Sequence, residues 1–158
     1  MASSTAKRRH ADDPFSRVTA VLGGGSVRIH SAIELHERIA EGLPREWAVH
    51  LVSNLHDIKF DESLRALNMS SRTWARIKAE KSGRDKRLDI DQSARVWNLA
   101  EILAQAQEVL GGREEAEQWL SRPAIGLDSR RPIDLMATQQ GSALVKTLLE
   151  QMEHGVYA

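Results

Sequence analysis

The chain has no cysteine in its 158 residues. A disulfide scaffold, a thiolate nucleophile and a cysteine metal site are therefore excluded, and the absence suits a reducing cytoplasm. Net charge is absent too, since 22 Lys/Arg balance 22 Asp/Glu. No apolar run approaches the ~20 residues that span a bilayer, so no membrane partner is expected. The opening "MASSTAKRRHADDPFSR" is basic but has no apolar core behind it, unlike a secretory signal. The expected location is cytoplasmic.

Catalytic signatures are also missing. "HERIA" at 36–40 begins like a zinc-protease helix but has Ala40 where the second imidazole belongs. "LGGGSVR" lacks the lysine and hydroxyl of a phosphate loop, and the six histidines share no ligand spacing. The expectation is a chain that is not an enzyme, with no cofactor and no metal site.

What is present is a globular balance, 41% apolar against 28% charged, which favours a folded chain over a disordered one. Charge is divided along it. Residues 1–90 carry 16 basic against 12 acidic groups and residues 91–158 carry 6 against 10, so the halves are expected to meet different partners. The basic excess peaks at +6 between Arg65 and Arg87.

Residues 1–30, with "GGG" at 23–25, read as a flexible arm and a possible dimer contact; the alternation "SVRIH" could supply a single strand. From Ser31 the period turns helical. Ser31 and Glu34 make a capping box, Leu35 and Ile39 share a face, and Gly42 ends the segment. Pro44 opens a helix with Trp47, Leu51 and Leu55 four apart. Short helices are expected at 61–67 and 71–80, and a long one from Asp91 to Leu110 with a seam of Val96, Leu99, Leu103, Ala106 and Leu110. "REEAEQWLSRP", "RPIDLMAT" and 142–153 complete an all-α fold of about seven helices. The four tryptophans, spaced one per helix, are expected in the core.

"FDESLRALNMSSRTWARIKAE" at 60–80 carries the parts of a helix-turn-helix. Asn68 suits a left-handed turn, Ser70 can cap the second helix, and Trp74 with Ile77 would face inward. Arg72, Thr73, Arg76 and Lys78 would then face outward. Neutralising phosphates releases counterions, so a basic window on such a helix points to DNA. Ser71, Arg72 and Arg76 are the candidates for base edges and nearby phosphates, and Lys78, Lys81, Lys86 and Arg87 for the backbone.

"AEQWLSRPAIGLDSRRPIDLMATQQGSALVKTLLEQMEHGVYA", residues 116–158, has Ala116, Trp119-Leu120, Pro123, Leu127, Pro132, Asp134-Leu135, Thr138, Gly141, Val145, Leu148, Gly155 and Tyr157 in order. This series resembles the toxin-binding domain of the Xre/MbcA/ParS antitoxins, partners of RES-domain toxins. The resemblance extends more weakly over 42–110, where the family carries an Xre/Cro-like helix-turn-helix. Here Ser63-Leu64 and Asn68 replace the family's Leu-Ala and glycine, and Asp128-Ser129 replace glycines before Pro132.

The resemblance implies a type II toxin–antitoxin partner with residues 31–110 for dimerisation and DNA and 111–158 for the toxin. Its RES-domain toxin would consume NAD, and the chain would cover that toxin's active site. It would also form a homodimer and a higher hetero-oligomer with the toxin, and repress its own operon through operator DNA. The expected toxin contacts are Gln151, Glu153, His154, Val156 and Tyr157 on the last helix and tail, with Arg122, Arg130 and Arg131 on loops beside it. A stand-alone helix-turn-helix transcriptional regulator is the alternative.

Overall fold

The computed structural model describes residues 13–79 and 87–155. Its centre is the longest helix, α6 (Ile90–Leu110), on which helices from both ends of the chain pack. α6 owes its start to Asp89, whose carboxylate accepts from Gln92 N at 2.8 Å while the Gln92 side chain accepts from Asp89 N at 3.1 Å. Its expected seam is buried at Val96, Leu99, Leu103 and Ala106, and Trp97, Ala100 and Ile102 widen it into an all-round core helix. Each fully buried Leu or Ile here contributes about 1.5–3 kcal/mol.

Before α6 come α1 (Pro14–Val21), α2 (Ala32–Glu41), α3 (Arg45–Ser53), α4 (Phe60–Ala66) and α5 (Ser71–Ala79). After it come α7 (Arg113–Leu120), a 3-10 turn (Ile125–Leu127), α8 (Pro132–Leu135) and α9 (Gln139–Glu153). Among the described residues no β-strand forms; two isolated antiparallel bridges, Pro44–Arg87 and Ala124–Arg130, close loops. No described helix is long and apolar enough to cross a membrane.

Two readings of the amino-terminal region are corrected. The "SVRIH" segment is not a strand: residues 26–30 are irregular, and Ile29 is buried in the core. The packed body begins earlier than the hydrophobic pattern marks, because α1 forms at Pro14. The Asp13 carboxylate accepts from Phe15 N at 3.3 Å and from Ser16 Oγ at 3.2 Å, and Pro14 occupies the first turn. Val18, Val21 and Leu22 then bury themselves, and Phe15 meets Trp97 at 6.4 Å between ring centroids.

The Ser31 cap forms, accepting from Glu34 N at 3.1 Å, but the Glu34 carboxylate reaches one residue further back, to His30 N at 2.8 Å. That bond, with Arg38 beside it, holds the Glu34 carboxyl below its ordinary range. Gly42 ends α2 at φ 97, where a side chain would also run into the Leu88 carbonyl. Leu88 N donates to Leu43 O at 2.8 Å across that close approach. Trp47, Trp74 and Trp97 are core residues and Trp119 packs half-buried against the core.

The amino-terminal helices and the carboxyl-terminal ones are fastened together by a buried acid. Glu117, 1% exposed on α7, accepts from His56 N at 2.7 Å and Asp57 N at 2.8 Å and pairs with Arg113 at 3.1 Å. The loop leading into α4 is thus held by α7.

Candidate functional site

α4, the turn at 67–70 and α5 form the expected helix-turn-helix. Asn68 takes φ 50, which a short polar side chain tolerates. Ser70 Oγ accepts from Thr73 N at 3.1 Å and lies 3.0 Å from Thr73 Oγ1, so the Thr73 hydroxyl belongs to the cap. Trp74 and Ile77 are each 5% exposed, and Phe60 meets Trp74 edge-on at 6.1 Å.

Burying Trp74 and Ile77 decides what α5 shows to solvent. Arg72 and Arg76, one turn apart, share the outer face with Ala75 and Ala79, while Ser71 and Lys78 flank it. The two alanines were not singled out in the sequence; nothing bulky on them holds the helix axis away from a groove. Arg87 is not brought to this face: it sits at the α2–α3 junction, bridged to the Pro44 backbone and 3.5 Å from Glu41. Lys81 and Lys86 lie outside the described residues.

At the carboxyl-terminal end, α9 buries Val145 and Leu149 and leaves Leu148 and Met152 half-buried. Thr138 caps it, its hydroxyl accepting from Gly141 N at 3.0 Å. Gln151 is half-buried and Glu153 and His154 are exposed; Gly155 leaves the helix at φ 70. Val156 and Tyr157 lie outside the described residues. Arg122 and Arg130 are exposed. Arg131 is engaged on the inside: its Nε and Nη2 donate to the Asp134 carboxylate at 2.8 Å each, and its Nη1 to Glu62 Oε1 of α4 at 2.7 Å. These contacts raise its already high pKa further, Asp134 first and Glu62 second.

The sequence reading missed two apolar side chains on this end. Ile125 on the 3-10 turn is 89% exposed and Leu144 on α9 is 57% exposed. Leu148, one turn beyond Leu144, lies against Gly126, so turn and helix present one apolar strip.

Residues 34–101 match the model of the antitoxin Xre-like helix-turn-helix domain, and residues 105–155 that of the antitoxin Xre/MbcA/ParS C-terminal toxin-binding domain. Over 127 residues, 79% of this chain and 74% of the other, the sequence is 31% identical to the antitoxin Xre of Pseudomonas putida. The chain belongs to the Xre antitoxin family. It is also 27% identical over 124 residues to the antitoxin Xre of Yersinia enterocolitica, covering 76% of this chain and 81% of that one. To the Prs ADP-ribosylating antitoxin of a Sphingobium species it is 28% identical over 102 residues, 59% of this chain and 62% of the relative.

The resemblance read from residues 116–158 is therefore borne out, and the chain is an antitoxin of the Xre type with a helix-turn-helix domain. Ile125, Leu144 and Leu148 all fall within the stretch matched to toxin binding.

Proposed function

We propose that this Xre-family antitoxin neutralises a RES-domain, NAD-consuming toxin by seating its α9 and 3-10-turn face over that toxin's active site. The observation that carries the reading is the pair of exposed side chains Ile125 and Leu144, joined by half-buried Leu148 and bordered by Gln151. Apolar anchors within a polar rim are the usual energetic centre of a protein interface. Exposed Glu153 and His154 at the end of α9, and exposed Arg122 and Arg130 on the loops, are the further polar contacts of this reading, and Val156 and Tyr157 remain contacts expected from the sequence alone. Similarity to a Prs ADP-ribosylating antitoxin supports a partner with ADP-ribosyl chemistry, which draws on NAD. In this reading the chain's contribution is to exclude substrate from the toxin.

As a homodimer it would also place α5 in the major groove of its own operator, Arg72 and Arg76 toward bases and Ser71, Lys78, Lys81 and Lys86 toward phosphates. The test is co-expression with the product of the adjacent gene. A RES-domain protein that is toxic alone, harmless with this chain and recovered bound to it supports the reading. Operator binding with no protein partner favours the stand-alone regulator instead.

A further inference from the structure

Arg131 stands between the two proposed surfaces. It follows a tight turn in which Ala124 N donates to Arg130 O and Ser129 N to Ala124 O, each at 3.0 Å. The turn holds two consecutive non-glycine residues in the left-handed region, Asp128 at φ 53 and Ser129 at φ 61. Such backbone is strained and persists only where surrounding contacts fix it. On its outer side the turn carries Ile125; on its inner side Leu127 is buried and Arg131 reaches the first helix of the helix-turn-helix.

The acceptor there is equally committed. Glu62 is 7% exposed; its Oε1 takes the Arg131 guanidinium and its Oε2 accepts from Lys59 N, at the start of α4, at 3.2 Å. One carboxylate thus caps α4 and ties α4 to the 124–131 turn, and α4 packs directly on α8. α4 sets α5 in turn, through the 67–70 connection and the Phe60–Trp74 contact. Only Glu62 is buried, its side chain 8% exposed against 31% for Arg131, so losing the guanidinium leaves the Glu62 carboxylate as the uncompensated charge. Movement of the turn is therefore passed to α4.

We propose that Arg131 is a positioning residue: through Glu62 it makes the pose of the DNA-binding helices depend on what covers the Ile125 turn. This rests on the proposed reading of the two surfaces. Toxin and operator then alter each other's affinity by one shared factor, as linkage requires. Sequence position hides the tie, since the partners lie 69 residues apart.

The test uses the full chain, labelled DNA from directly upstream of its own reading frame, and the adjacent RES-domain protein made catalytically inactive. DNA affinity is measured with and without saturating toxin for the parent, R131Q, E62Q, the double variant and R131K. The expected result is a toxin-induced change of about fivefold or more in the parent, falling below about twofold in R131Q, E62Q and the double variant alike. R131K, which keeps the charge, recovers part of it. Melting curves show each variant folded, and a merely structural role would move melting without moving the ratio. An undiminished ratio in folded R131Q and E62Q overturns the proposal. So does independent addition of the two substitutions. A parent that binds no upstream DNA, or no RES-domain protein, overturns the proposed function itself and this inference with it.

Discussion

Replacing Glu117 by Gln tests whether one buried carboxylate fastens the helix-turn-helix to the toxin-binding end. The carboxylate makes three charge-assisted hydrogen bonds, two to backbone N–H groups of His56 and Asp57 and one to Arg113 Nε. A glutamine oxygen can keep the two backbone bonds at neutral strength, but its amide then faces the Arg113 guanidinium, donor against donor. Charge-assisted bonds are worth about 1.5–3 kcal/mol each and neutral ones about 0.5–1.5, so the loss is about 3 kcal/mol. Arg113 is 32% exposed and regains some water, which keeps the value from running higher. Glu117→Ala, leaving every donor without its acceptor, costs about 3–5 kcal/mol. Urea unfolding at unchanged m measures both, and at about 2–4 °C per kcal/mol for a chain this size the Gln variant melts roughly 6–12 °C lower. Amide exchange at His56 and Asp57 accelerates. Losses below about 1 kcal/mol in both variants would refute the clamp.

Gly141→Ala should destabilise although it sits in α9: the new methyl runs into the Leu135 carbonyl oxygen, and a strain of about 1–3 kcal/mol outweighs the ~1 kcal/mol gain in helix propensity. Thermal melting gives the sign. For Glu34, whose folded pKa lies below its ordinary 4.5, the associated stability is present above 4.5 and is lost as pH falls through the folded value. The melting difference between parent and Glu34→Gln should accordingly shrink over that window and be constant above it. The Arg72→Ala, Arg76→Ala variant should bind operator DNA weakly, with a salt slope shallower by up to about 2. An affinity and slope equal to the parent's would remove α5 from the interface.

Local chemistry made much of the fold legible. The left-handed Asn68, the Ser70 cap and the inward Trp74 and Ile77 all follow from residues within a few positions of one another, whereas α6 starts just before the expected Asp91, at the Asp89 cap. Helix α1 had its own signals, Asp13 as cap and Pro14 in the first turn, overshadowed by the polar, glycine-rich residues around them. Ile29 and Val27 alternate like a strand, but burial of Ile29 between helices satisfies the same pattern. The candidate site was harder to see. Leu144 and Leu148 repeat at helical spacing, and only the register of α9 separates the exposed one from the half-buried one. Arg131 looked like a free loop cation because its partner Glu62 is distant in sequence.

The central claim is that the Ile125–Leu144 face covers the active site of an NAD-consuming toxin. Its most direct test is NAD consumption by the purified RES-domain partner, titrated with the parent chain and with the Ile125→Asp, Leu144→Asp variant. Both side chains are largely exposed, so the variant should fold and melt like the parent. The account predicts that the parent stops NAD loss near equimolar addition, whereas the variant, lacking interface anchors worth about 2 kcal/mol or more each, needs roughly 100-fold or more. Equal inhibition by parent and variant, or none by the parent, would contradict it.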